Sequence, residues 1–279
     1  MEADAASPVA FVGLAGVGVL VGAYGTLIGA GGGFVLVPLL LILYPHYTPA
    51  QITAISIGVV FVNASSGSLS YFRLKRADYR TGAWLALATL PGAVLGSIAV
   101  GSIPRGAFDV MMGGTLLAVG GYLIVQPSNR LPLLQGGRFV VERTITDSSG
   151  RTYSYRLNLG LAMLLSVFVG FLSSLLGIGG GIIHVPLLTT FFSFPEHVAT
   201  ATSHFTLMFM SGAAAITHAV EGDYLTTYKT AIALAIGVLV GAPVGAALSQ
   251  RVEGHWIVRL LAVALGVVGL RLLFAAANL

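Results

Sequence analysis

Gly29-Ala30-Gly31-Gly32-Gly33-Phe34-Val35-Leu36-Val37-Pro38-Leu39 decides the reading of this chain, because it occurs twice. Gly177-Ile178-Gly179-Gly180-Gly181-Ile182-Ile183-His184-Val185-Pro186-Leu187 repeats it at an offset of 148 residues (179 − 31). In each copy three glycines interrupt an apolar run and a proline follows. Irregular backbone at membrane depth survives only where it is packed in protein or lines a cavity, because lipid satisfies no polar group. Gly/Pro-broken segments at matching places in two halves point to the binding site of a transporter.

Composition sets the class. Of 279 residues 56% are hydrophobic and 9% charged, and mean hydropathy is +0.91. A soluble domain carries roughly 25% charge, so this chain cannot clothe a soluble surface and reads as a membrane protein embedded among lipids. The pI near 9.5 does not indicate nucleic acid. The cations sit in short loops between apolar spans, where they set orientation. With no cysteine, disulfide and thiol chemistry are excluded. The start, MEADAASP, lacks a basic signal region and is read as the start of the mature protein.

Outward from the first motif, no residue from Ala5 to Phe72 is charged, which predicts segments near 9–28, 34–44 and 50–72. The middle one, at 1.5 Å per residue, reaches about half the hydrocarbon core and reads as a half-helix starting near the midplane. Spans near 81–101 and 107–126 follow the basic cluster Arg73, Lys75, Arg76 and Arg80 with Asp78. The polar stretch 127–156 carries Arg130, Arg138, Arg143, Arg151 and Arg156 against Glu142 and Asp147, with a β-hairpin expected over Phe139–Thr146 and Arg151–Arg156. The pattern then restarts at 157–177, 182–193, 198–219, 227–249 and 255–274. Gly22 aligns with Gly170, Ser56 with Ser203, Gly92 with Gly241, Gly96 with Gly245 and Gly121 with Gly269.

The expected fold is therefore an all-α polytopic membrane protein of two repeats, 9–126 and 157–274, joined by a linker at 127–156. An odd number of crossings per repeat inverts the second copy. Charge agrees, since the basic loop 73–80 corresponds to one holding Glu221, Asp223 and Lys229, as opposite membrane faces would produce. Both termini are placed outside and loops 73–80 and 127–156 in the cytoplasm.

The glycines open backbone N–H groups to a ligand, and a half-helix starting after them adds the positive end of its dipole. Two such ends form an anion site; the alternative is close helix packing by small residues. Thr53, Ser56, Val60, Asn63, Gly67 and Ser70 fall on one stripe of the third segment, and Thr200, Ser203, His204, Leu207, Ser211 and His218 on its repeat. Hydroxyls and amides suit an anion that must bind and leave. Helix–helix hydrogen bonding is the competing role. His184 and His204 lie in apolar spans and are candidates for carrying a coupling proton. His218 is placed near the outer surface, and His46, His197 and His255 in loops or interfaces. Arg259 and Arg271 are expected to snorkel, and Asp109, Glu196 and Glu253 to flank spans. No His/Cys/carboxylate cluster has metal-ligand spacing and no GxxxxGK[ST] occurs, so neither a metal nor a cofactor is expected. Ser211 and His218, seven residues apart on one helix, lie too far apart for a catalytic pair, and no enzyme is expected.

The doubled GxGGGxxxxP, the run Ser173-Ser174-Leu175-Leu176-Gly177-Ile178 before the second copy, and Ala201-Thr202-Ser203 resemble the sulfite exporter TauE/SafE family, also called the toluene sulfonate uptake permease family. The resemblance covers nearly the whole chain outside 127–156. It implies a secondary transporter of sulfur-containing anions such as sulfite or organosulfonates. The family signatures carry over to Gly31, Gly32, Gly33, Gly179, Gly180 and Gly181, and to Thr202 and Ser203. In the first half the pair is Ile55-Ser56, one hydroxyl fewer. Anion export from a negative-inside cell is downhill by roughly 2.3 kcal/mol per charge per 100 mV, so export is the expected direction. An anion channel using the same N–H donors is the alternative.

Overall fold

The computed structural model describes residues 7–125, 139–249 and 254–277. Expectations for Arg130, Arg138, Glu253 and the side chain of His255 fall outside the described residues.

Helix α1 (Pro8–Ile28) starts where Ser7 accepts from the Ala10 N–H at 3.2 Å and stops at Gly29, whose φ of +80° only glycine adopts without strain. Gly29–Gly32 turn the chain into α2 (Gly33–Leu43). A capping box of Thr48 and Gln51 opens α3 (Pro49–Leu74). Asp78 caps α4 (Tyr79–Ala99), a 3-10 turn spans Val100–Ser102, and α5 is Arg105–Val125. Strands β1 (Val140–Thr146) and β2 (Thr152–Asn158) pair antiparallel, with Arg143 opposite Tyr155. Asp147 builds their turn, its Oδ1 accepting from the N–H of Ser149 and Arg151. The second half runs α6 (Leu159–Leu176), α7 (Gly181–Pro186), a π-helical turn (Leu187–Phe191), α8 (Glu196–Glu221), α9 (Tyr228–Leu248) and α10 (Gly254–Ala277).

Elements thus recur in the same order in both halves, and they pack reciprocally: α1 on α9, α6 on α4, with α3 against α8 and α5 against α10. Glycines let the paired helices touch. A Cβ on Gly237, Gly241 or Gly245 would strike the carbonyls of Ala15, Val19 and Ala23 in α1, and one on Gly92 or Gly96 would strike those of Val167 and Phe171 in α6. Close approach through small residues is how helices associate where lipid supplies no hydrophobic drive.

Among the described residues five helices are long and apolar enough to cross a membrane, namely α1, α3, α4 with its 3-10 extension, α6 and α9. Leu20, Leu95, Phe168, Leu239 and Val263 stand outward on their helices, where lipid covers them. The chain is a multi-pass membrane protein.

One expected element differs. The apolar stretch after the second glycine motif is not a single helix like α2. It leaves α-geometry at Pro186, and Thr189 Oγ1 donates to the carbonyls of Val185 and Pro186 at 3.0 and 3.2 Å. Proline withholds a helical N–H, and the π-helix, rare as a regular structure, occurs as such single-turn interruptions.

Candidate functional site

The two glycine motifs meet. A Cβ on Gly33 would lie 2.6 Å from the Gly177 carbonyl oxygen, and one on Gly181 would run into the Gly29 carbonyl and Ala30. Each motif also takes the central helix of the other half: Thr200 of α8 packs on Gly29, and Thr53 of α3 on Gly177. Residues 25–34 and 173–182 are all buried.

Three carbonyls at this junction are held by side-chain donors. Ser56 Oγ donates to Gly177 O at 2.6 Å, Ser203 Oγ to Gly29 O at 3.4 Å, and Asn63 Nδ2 to Gly31 O at 3.0 Å. Gly25 O accepts from the N–H of Ala30 and Gly31, and Ser173 O from that of Ile178. Donors are in surplus. The N–H groups of Gly32, Gly33 and Phe34, and of Gly180, Gly181 and Ile182, have no backbone acceptor among the described residues, as the first turn of any helix leaves them. Among the described residues the buried hydroxyls of Thr53, Ser173 and Ser174 also have no partner. With the carbonyls of Gly29, Gly31 and Gly177 held, these N–H and O–H groups give the junction donors to offer a ligand.

The copies differ in one backbone conformation. Gly29, Gly31 and Gly32 all have positive φ, as do Gly177 and Gly179, but Gly180 sits at φ −59°. The nearest atoms to a Cβ on Gly180 would be those of the Met210 side chain and His184 Nδ1.

A polar cluster adjoins the first motif. Thr26 Oγ1 donates to Asn63 Oδ1 at 3.0 Å and stands 3.4 Å from His204 Nε2, while Tyr71 OH donates to Thr26 O at 2.8 Å. The Tyr71 and His204 rings meet edge-on at 5.7 Å. His184, beside the second motif, has Nε2 3.1 Å from Ser166 Oγ. Both histidines are buried, and among the described residues neither Nδ1 has a partner.

Of the residues singled out from sequence, the glycines, Ser56, Asn63, Ser203 and His204 converge here. Thr202 does not; its Oγ1 accepts from the Asp78 N–H at 2.9 Å, toward α4. Ser211 bonds back to Leu207 O within α8. His218, in the last turn of α8, is buried, with Nδ1 2.7 Å from Asp223 Oδ2. Asp109 does not merely flank a span, since it is buried and paired with Arg105 at 3.3 Å. Thr26 and Tyr71 join the cluster unforeseen. Thr26 precedes the glycines by three residues, and that spacing was its only signal. Among the described residues no group of three His, Cys, Asp or Glu could hold a metal.

The sulfite exporter TauE/SafE family model matches residues 14–272. A relative from Bacillus subtilis (strain 168), described as "Probable membrane transporter protein YunE", is 30% identical over 270 residues, covering 95% of this chain and 97% of its own. Another, from Methanocaldococcus jannaschii, described as "Probable membrane transporter protein MJ0441", is 25% identical over 177 residues, covering 62% of this chain and 59% of its own. No solved structure matches the chain. With a buried, donor-rich junction of two glycine motifs at its centre, this chain belongs to the sulfite exporter TauE/SafE family of membrane transporters.

Proposed function

We propose that the chain exports a small sulfur-containing anion, sulfite or an organosulfonate, across the cytoplasmic membrane by alternating access around the two glycine motifs. Its halves, 9–126 and 157–274, act as inverted repeats, with both termini outside and loops 73–80 and 127–156 in the cytoplasm. One observation carries this reading: the carbonyls of Gly29, Gly31 and Gly177 are each held by a side-chain donor, while the N–H groups opening α2 and α7 have no backbone acceptor among the described residues. An oxyanion has three or more acceptor oxygens and no donor, so it fits such a locus, and a cation does not.

In this reading Gly31–Gly33 and Gly179–Gly181 bind the anion through the backbone. Ser56, Asn63 and Ser203 hold the carbonyls aside, and Thr53, Ser173 and Ser174 add hydroxyl donors. His204 and His184 are the groups that would carry a coupling proton, since imidazole exchanges protons near neutral pH. Burial of both motifs supports a carrier over a channel, because a channel needs a continuous wet path. Flux from proteoliposomes tests the proposal. Sulfite or an organosulfonate should exchange saturably while sulfate and chloride do not, at rates far below a channel's. Single-channel currents would replace the carrier with a channel, and no flux of any sulfur anion would overturn the substrate class.

A further inference from the structure

The β1–β2 hairpin lies outside the glycine junction, yet it grips both halves. Its apolar side, with Tyr155 and Leu157, packs with Phe192, Phe194, Val198 and Ala199, where the segment after the second glycine motif turns into α8. The Tyr155 and Phe194 rings stand 4.2 Å apart. The same face, where Arg143 lies opposite Tyr155, also holds the α3–α4 loop of the first half. Tyr155 OH donates to Asp78 Oδ2 at 2.7 Å, Arg143 Nε lies 3.5 Å from the same oxygen, and Arg76 lies 3.6 Å from Asp147 in the hairpin turn. The Ser148 N–H donates to Leu74 O at 3.1 Å.

Asp78 is the centre of this grip. Its carboxylate also accepts from the Thr81 N–H at 3.0 Å and caps α4, and its own N–H donates to Thr202 Oγ1. Thr202 is the neighbour of Ser203, which holds the Gly29 carbonyl. An unbroken hydrogen-bonded path therefore runs from the hairpin through Asp78 to α8 beside the glycine junction. Burial and the adjacent Asp78 carboxylate push the Tyr155 phenol far above its ordinary range, so it stays a donor.

We propose that the hairpin is a latch, in which Tyr155 and Arg143 act as positioning residues that hold Asp78 against Thr202 and keep the hairpin-side face of the transporter closed. A buried carboxylate accepting several bonds fixes geometry strongly, because losing one leaves charge poorly solvated. Opening this face requires the α3–α4 loop to leave the start of α8, and the hairpin is anchored to both. The inference rests on the alternating-access reading, and its test separates the two.

The chain has no cysteine, so single reporters are clean. Ala201→Cys sits buried in α8 near Ala77 and Tyr71, and Ala54→Cys is buried in α3, where Tyr224 OH holds the Ala54 carbonyl. Each is placed in the parent chain and in Tyr155→Phe/Arg143→Gln, which leaves the Asp78 cap of α4 intact. Alkylation by a membrane-impermeant maleimide is then timed on proteoliposomes, with a melting curve confirming that the variant folds. Release of the latch should speed labelling at Ala201→Cys about ten-fold, as expected for losing a hydrogen bond to a charged group. A matching slowing at Ala54→Cys supports alternating access as well. An unchanged Ala54→Cys alongside a faster Ala201→Cys keeps the latch and overturns alternating access. An unchanged Ala201→Cys in a folded variant overturns the latch.

Discussion

Replacing Gly33 by alanine, and separately Gly180 by alanine, isolates the contact between the motifs. At Gly33 the new methyl would stand 2.6 Å from Gly177 O and 2.7 Å from both Ile178 C and Ile178 O, all backbone. Carbon atoms pack best near 3.5 Å, so the contact with Ile178 C is short by about 0.8 Å. Nothing there is a flexible side chain. The motifs must part, and that strains the 2.6 Å bond from Ser56 to Gly177. Overpacking of this kind costs about 1–3 kcal/mol, and weakening that bond adds about 1 kcal/mol. The folded fraction relative to unfolded should fall on the order of a hundred-fold. At Gly180 the methyl meets Met210 Cε at 3.0 Å and Sδ at 3.1 Å, the end of an adaptable chain. Its φ of −59° suits alanine, so the change should be within about 1 kcal/mol of neutral. Denaturant titrations in detergent, followed by tryptophan fluorescence, compare the two with the parent. Equal midpoints for both variants would refute the packing described here.

Ser56→Ala should destabilise more than Ser203→Ala, by about 1 kcal/mol, because its bond to the opposite motif is 2.6 Å against 3.4 Å; the same titrations read it. Arg105 donates to the carbonyls of Tyr47 and Leu41 at 3.0 Å each and pairs with Asp109, so Arg105→Met should cost about 3 kcal/mol by leaving a buried carboxylate unpaired. Asp147 gives a pH test. Burial raises its carboxyl pKa, but the Ser149 hydroxyl, the N–H groups of Arg151 and Ser149, and nearby Arg76 outweigh that and hold it below the ordinary range. A depressed carboxylate stabilises above its unfolded value and loses that contribution as pH falls through the folded one. Amide exchange at 147–151, corrected for intrinsic rate, should therefore quicken below about pH 4, and Asp147→Asn should flatten the profile.

Much of the fold was legible because its causes are local. Gly29 and Gly177 stop α1 and α6 at the residues the motif spacing indicated, and the turn chemistry of Asp147 to Gly150 placed the hairpin within two residues. The site was legible only as a list of candidates. Ser56 and Asn63 were recognisable as donors, but that they reach carbonyls across the junction follows from how the halves interlock. Thr202 looks equivalent to Ser203 in sequence, yet one helical step turns it to Asp78. His218 and Asp109 stand near helix ends, but their pairing with Asp223 and Arg105 emerges only once the helix ends fold back or align. The π-turn after Pro186 was hidden for a similar reason, since Pro38 occupies the same motif position within an uninterrupted α2.

The proposed function requires the glycine junction to bind a sulfur oxyanion. Purified protein titrated with sulfite, thiosulfate, sulfoacetate, sulfate and chloride while its melting is followed tests this most directly, since a ligand of the native state raises apparent stability with concentration. Selective stabilisation by one sulfur anion is expected, weakened in Ser203→Ala and altered in Gly180→Ala, where φ is negative and the nearest neighbour is the adaptable Met210 side chain. Equal response to every anion, or none in a protein that melts cooperatively, would contradict it and leave the glycines as packing devices.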